Sequence, residues 1–147
     1  MNNGLTVEKS ILINASPTKV WEALTNPEMV KQYLFGTEMS ADWRVGGRVT
    51  YRGEWEGKKY EDGGIILEIE PEKILKSTYW SSMSGTEDKL ENYVVVTYTL
   101  EKKENGTQLT ITQDNNKTEE GKEHSGGNWQ WVLGKMKTLI EGGDPGK

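Results

Sequence analysis

The chain has 147 residues and a formal charge of −5, with no Cys and a single His. That balance excludes a phosphate-backbone partner, which needs clustered Lys and Arg, and it excludes disulfide frameworks, thiol nucleophiles and multi-histidine metal centres. The length suits one domain over residues 1–147 with an ordered core over 5–141, and six Trp and six Tyr against one Phe put much of the apolar surface on rings with polar tips.

Leu5 to Asn14 reads as a first strand, with Val7, Ile11 and Ile13 on one face and Leu12 on the other. Ser16 then offers a hydroxyl cap and Pro17 takes the first helical position, where its missing N–H costs nothing. Val20, Trp21 and Leu24 form the apolar stripe of this short helix. Asn26-Pro27 repeats the device and starts a second helix, with Met29, Val30, Tyr33 and Leu34 turned inward.

From Trp43 onward the period is two. Val49, Tyr51, Gly53 and Trp55 alternate with Thr50, Arg52 and Glu54, and Glu56-Gly57 makes a turn. Lys58 to Glu70 continues as a strand, with Ile65, Leu67 and Ile69 expected on the inner face and Gly63-Gly64 expected to mark a bulge or bend. Pro71-Glu72 turns the chain into Ile74 to Ser81, and a polar loop follows over Ser82 to Glu91. Asn92 to Lys103 and Thr107 to Asn115 are joined by Asn105-Gly106, a strong hairpin signal. Val94, Val96, Tyr98 and Leu100 share one face, as do Leu109, Ile111 and Gln113.

The last element is a helix whose stripe is Trp129, Leu133, Met136 and Ile140, with Val132 and Leu139 beside it. Asn116 with Glu119 resembles a capping box, so the start falls near residue 117. Gly121, Gly126 and Gly127 each weaken a helix by about 1 kcal/mol relative to Ala, so firm helix is expected from about 127. Gly142 to Gly146 ends it, with loose residues after. No aliphatic run exceeds three residues, and no export signal is expected at the amino terminus. A cytoplasmic protein without a membrane span is the expectation.

This order gives an α+β architecture: a curved antiparallel sheet of about seven strands, two short helices and a long C-terminal helix. Its motifs are Ala15-Ser16-Pro17 with Val20-Trp21-Glu22-Ala23-Leu24, Asp42 with Arg44-Val45-Gly46-Gly47, Gly57 with Gly64 and Leu67-Glu68-Ile69, Asn105-Gly106-Thr107 with Leu109-Thr110, and Trp129 with Leu133. The ordered set resembles the bacterial single-domain members of the Hsp90-ATPase-activator-homologue family, of the START or birch-pollen-allergen helix-grip superfamily. The resemblance covers essentially the whole chain. It implies a seven-stranded sheet gripping the terminal helix and a small hydrophobic molecule bound between them. It also implies two alternatives, an Hsp90-type chaperone as partner and a polyketide-cyclase-like activity. The chain departs from many relatives in having Gln113 where they place a His.

The candidate ligand-binding residues are Trp21, Tyr33, Tyr51, Trp55, Leu67, Tyr79, Val96, Tyr98, Ile111, Gln113, Trp129, Leu133 and Met136. Each ring serves equally as pocket wall or as plain core. Gln113 is the candidate polar anchor, or else bonds an inward backbone group. Trp80 falls on the outer face by strict alternation. Arg44-Val45-Gly46-Gly47 reads as a strand corner, not an anion site, because no Gly-Lys-Ser/Thr or following helix accompanies it. His124 lies among Glu119, Glu120 and Glu123 and reads as a surface residue. No nucleophile, base and oxyanion constellation is present. The expected ligand is small and apolar, aromatic or lipid-like, and no cofactor or metal is called for.

Overall fold

The structure, a computed structural model, describes residues 5–34, 36–81, 87, 89, 92–116 and 118–142, with Trp55 by its backbone alone. Most of the expected loop over 82–91 and the residues after Gly142 therefore lie outside the described residues. The elements are β1 (Leu5–Ile13), α1 (Pro17–Thr25), α2 (Pro27–Tyr33), β2 (Glu38–Ala41), β3 (Arg48–Trp55), β4 (Lys58–Glu70), β5 (Ile74–Tyr79), β6 (Val94–Lys103), β7 (Gly106–Asn116) and α3 (Glu119–Gly142). Among the described residues the strands form one antiparallel sheet in the order β1-β7-β6-β5-β4-β3-β2. This is the helix-grip fold. The short β2, which the sequence reading did not place, pairs Met39 with Tyr51 at the sheet edge.

The two helix starts form as their sequences dictate. The Ser16 hydroxyl accepts from the Lys19 N–H at 3.4 Å, with Pro17 in the first turn. Asn26 serves both helices: its own N–H donates to Glu22 O at 2.7 Å, and its side chain accepts from the Glu28 N–H at 2.9 Å. Tyr33 donates to Ala23 O at 2.8 Å. That carbonyl lies in the last turn of α1, where helix geometry provides no backbone partner. One buried hydroxyl thus ties α2 to α1.

Glycines set the sheet's curvature. A Cβ on Gly63 would lie 2.2 Å from Val49 O and one on Gly64 2.0 Å from Thr78 O, so β3, β4 and β5 approach as closely as they do only because these positions lack side chains. The bulge expected there lies three residues later. Ile66 pairs with Ser77 but Glu68 pairs with Lys76, so Leu67 is the extra residue. This corrects the face assignment of β4. Ile66 is fully buried, Ile65 and Leu67 are 44% and 39% exposed, and Ile69 returns to the core after the bulge. Gly46 and Gly47 pin the strand by pairing with Ile66 (2.8 and 2.9 Å), and Arg44 binds Asp42 at 2.6 Å, so this segment is a strand corner.

The β6–β7 turn also sits one residue from its expected place. Glu104-Asn105 forms the turn and Lys103 pairs with Gly106. Gly106 has φ 146°, and a Cβ there would meet Ile13 O at 2.1 Å, so its role is to let β7 pass the end of β1.

α3 differs most from expectation. Thr118, not Asn116, caps it by accepting from the Gly121 N–H at 2.9 Å, and the helix runs unbroken from Glu119. At Gly126 close packing compensates: a Cβ there would lie 3.0 Å from Lys9 Cε and 3.2 Å from Val7 Cγ2. The helix therefore rests on β1, with Val132, Leu133, Met136 and Ile140 buried. The six spacings of a seven-stranded sheet, at about 4.8 Å each, span about 29 Å, whereas a helix is about 10 Å across. With α3 set against β1 and β7, it leaves part of the concave face over β3–β6 uncovered.

Candidate functional site

The uncovered part of the concave face is a cavity of about 450 Å³. Four neighbouring strands supply its floor: Tyr51 and Glu54 from β3, Tyr60 and Asp62 from β4, Ser77 and Tyr79 from β5, Val96 and Tyr98 from β6. Leu34 and Thr37 border it from the segment after α2, and Trp129 is its wall on α3.

The rings are held in two edge-to-face pairs. Tyr51 and Tyr79 lie 5.9 Å apart at 68°, and Tyr98 and Trp129 lie 6.2 Å apart at 89°, an arrangement favoured by the ring quadrupoles. Polar contacts then fix the tips. Tyr79 donates to Asp62 at 3.0 Å, and the Thr37 and Tyr60 hydroxyls share a hydrogen bond at 2.6 Å. Tyr60 can cross its partner strand because Gly53 opposes it: a Cβ there would lie 2.2 Å from the phenol oxygen. The Tyr51 and Tyr98 hydroxyls form no hydrogen bond among the described residues. Burial pushes the Tyr51 pKa up to about 12 and raises Tyr98 further, with neighbouring tyrosines adding to the shift. Burial and then the Asp62 charge raise Tyr79. All three phenols therefore stay protonated at neutral pH.

Gln113 lies behind the wall. Its Oε1 accepts from the Trp129 indole N–H at 2.7 Å, and its amide nitrogen faces Asn116 Oδ1 at 3.4 Å and Ser125 Oγ at 3.5 Å. Ser125 donates to Asn116 Oδ1 at 3.0 Å, and the Asn116 amide donates to Leu5 O at 2.9 Å and Gln113 O at 3.0 Å. A β7 bulge sets this up: Leu5 pairs with Asn116 but Val7 with Gln113, and Asn115 takes φ 58°. The extra residue turns Asn116 into the interior. The sequence reading assigned Asn116 to a helix cap and missed the bulge, although Asp114-Asn115-Asn116 is rich in residues that tolerate positive φ.

Of the expected binding residues, Tyr51, Tyr79, Val96, Tyr98 and Trp129 come together on the cavity. Gln113 engages Trp129 and does not line the space. Ile111, Leu133 and Met136 are at most 1% exposed and belong to the solid core. Trp21 packs against that core from α1, and Tyr33 spends its hydroxyl on Ala23. Tyr33 borders a separate void of about 20 Å³, room for a single water. Leu67 faces the other side of the sheet, and the side chain of Trp55 lies outside the described residues. Trp80 stacks on Tyr93 at 6.4 Å, away from the cavity, and His124 is exposed. Tyr60, Asp62, Glu54, Ser77, Thr37 and Leu34 were missed. The β4 bulge hid the inward parity of Tyr60 and Asp62.

The chain matches the family model of the Activator of Hsp90 ATPase homolog 1-like protein over residues 14–141. A protein from Cytophaga hutchinsonii, known from its solution structure, is 43% identical with a TM-score of 0.85, each chain being covered over 97%. The Aha1 dimer from Colwellia psychrerythraea is 22% identical, with a TM-score of 0.72 over 93% of this chain and 96% of that one. DynU16, a protein of the dynemicin biosynthetic locus, is 20% identical, with a TM-score of 0.78 over 97% of this chain and 49% of that one; these last two likenesses concern the fold alone. No curated protein matches. The seven-stranded sheet, the gripped terminal helix and the family match over most of the sequence lead to one statement: this chain belongs to the Activator of Hsp90 ATPase homolog 1-like family.

Proposed function

We propose that the protein binds a small, largely apolar molecule between the curved sheet and α3. The observation that carries this is a cavity of about 450 Å³ walled by Tyr51, Tyr79, Tyr98 and Trp129. Its size falls in the range of about 300–1,000 Å³ typical of small-molecule sites. Affinity comes from ring and aliphatic surface removed from water, at about 25 cal/mol per Å² before ordering costs. The Tyr51 and Tyr98 hydroxyls provide hydrogen-bond donors for orientation.

Titration with Prodan, a neutral naphthalene dye, tests the reading. The expected result is a blue-shifted emission that saturates, with NMR shifts concentrated on Tyr98, Trp129 and Val96. Ser77→Phe, which fills the floor, weakens binding at least tenfold while the spectrum stays dispersed. No emission change and no shifted resonance up to millimolar dye would defeat the proposal.

Family membership favours a second reading, action on an Hsp90-type chaperone. A chaperone ATPase rate that rises with added protein supports it, and a flat rate at saturation counts against it. Catalysis ranks third: the two phenols suit polarisation of a ligand carbonyl, as in a cyclase, and a change in substrate mass over time is the readout.

A further inference from the structure

We infer that the preferred ligand of the cavity carries a cationic nitrogen on an aromatic or apolar body, and is not a carboxylate such as a free fatty acid. This rests on the ligand-binding reading above and narrows it to a charge class. Three features of the wall point the same way.

The first is the set of ionisable groups. Among the described residues Glu54 and Asp62 line the cavity and no Lys or Arg does. A ligand carboxylate entering here loses water and meets like charge without a cationic partner, which is costly in a partly desolvated site. An ammonium gains Coulomb attraction from both acids. The second is the ring set. A cation held within about 6 Å of a Trp or Tyr ring centroid is drawn to the negative π face, most strongly when water is excluded. Five such rings line the cavity, four of them held in the two edge-to-face pairs.

The third is where the acids sit. Asp62 is half-buried and oriented by the Tyr79 hydroxyl, whereas Glu54 is exposed. The inner charge is thus held in place beside the Tyr51–Tyr79 pair, and the outer one lines the cavity on its solvent-exposed side. The remaining polar groups, Thr37, Tyr60, Ser77, Tyr51 and Tyr98, are neutral hydroxyls, and burial keeps Tyr51 and Tyr98 so. None supplies positive charge to offset an anion. The chain's formal charge of −5 adds a long-range bias in the same direction.

A matched series decides the matter: naphthalene bearing an ethyl-trimethylammonium arm, its neutral carbon isostere with a tert-butyl terminus, and naphthalene propionate. Shape and apolar area are nearly constant between the first two, so charge is the variable in their ratio; the propionate, which lacks the three methyl groups, tests whether an anion is accepted at all. Binding is followed by quenching of Trp fluorescence and by NMR shifts of Tyr79 and Trp129. We expect the ammonium compound to bind at least fivefold more tightly than the neutral isostere, with the propionate weakest. Asp62→Asn, which keeps an oxygen for Tyr79, reduces the ammonium-to-neutral ratio at least threefold. If this variant loses its dispersed spectrum, the wild-type ratio alone decides. A ratio below fivefold, or propionate binding as tightly as the ammonium, overturns the inference and leaves the cavity reading standing. Failure of all three compounds at millimolar concentration overturns both.

Discussion

Replacing Gln113 by Met removes the acceptor of the Trp129 indole N–H while keeping an unbranched side chain of similar length. The lost bond is short, 2.7 Å, whereas the two other contacts of the amide, at 3.4 and 3.5 Å, are long and weak. A hydrogen bond of this kind contributes about 1 kcal/mol net, and leaving the donor unpaired raises the loss to about 1–3 kcal/mol. Because Trp129 is only half-buried, the lower half of that range applies. In a Trp129→Phe background the donor is already gone and the same change should cost less. The difference, the coupling energy of a double-mutant cycle, is expected at about 1 kcal/mol. Urea unfolding reads it directly: with a slope of about 2 kcal/mol per molar, 1 kcal/mol moves the midpoint by about 0.5 M. A coupling below about 0.3 kcal/mol would refute the view that Gln113 acts on Trp129. Ligand affinity separates the roles further. As a positioning residue, Gln113→Met weakens ligand binding only while Trp129 is present; a direct ligand anchor would weaken it in both backgrounds.

Gly126→Val forces a branched side chain against Val7 and Lys9 and should destabilise by about 1–3 kcal/mol through overpacking. Gly127→Ala meets nothing within 4 Å and should stabilise α3 by about 0.5–1 kcal/mol, with thermal unfolding showing opposite shifts. Leu67→Ser on the exposed bulge should stay within about 0.5 kcal/mol of wild type, whereas Ile66→Ala, fully buried beside it, should cost about 2–5 kcal/mol; the reverse order would restore the uncorrected strand register. Tyr51 has a folded pKa of about 12 against an ordinary 10.0. Its neutral form is thus favoured by the fold, and that contribution, complete below pH 10, is lost as pH rises toward 12. Urea midpoints at pH 9 and 11.5 should fall less in Tyr51→Phe than in wild type, and equal falls would refute this.

Local chemistry made most of the elements legible. Ser16-Pro17 and Asn26-Pro27 carry their own caps, and the period-two runs of β3, β6 and β7 each match a sheet face. What escaped were departures of one residue. Leu67 inserts into β4 and Asn115 into β7, and each reverses the side-chain parity that follows. Strict alternation cannot anticipate such an insertion, because the bulge is fixed by what packs on either side of it. Ile66 is held by Gly46 and Gly47, twenty and nineteen residues upstream. Asp62 and Tyr60 were illegible for the same reason, since they point inward only under the corrected parity. The rings were easier to place, as Tyr51, Tyr79 and Tyr98 lie on strands whose inner face was read correctly. Separating Tyr98, on the cavity, from Ile111, in solid core, needs the position of α3 over the sheet. No pattern within a single strand encodes that.

The pairing of β1 with β7 joins Ser10 to Thr110, 100 residues apart, and this governs how the chain can fold as it is made. The first strand leaves the ribosome without a mate. At about 5–20 residues per second its partner follows about 5–20 s later, while the meander between them is free to zip by neighbouring hairpins. Val7 and Ile13, which end up buried, spend that interval in water, and α3 has no complete seat until β1 and β7 have met. Slow closure of this kind is expected wherever distant segments must find each other before any burial rewards them. The chain's greatest exposure to aggregation therefore belongs to its synthesis, not to its finished state.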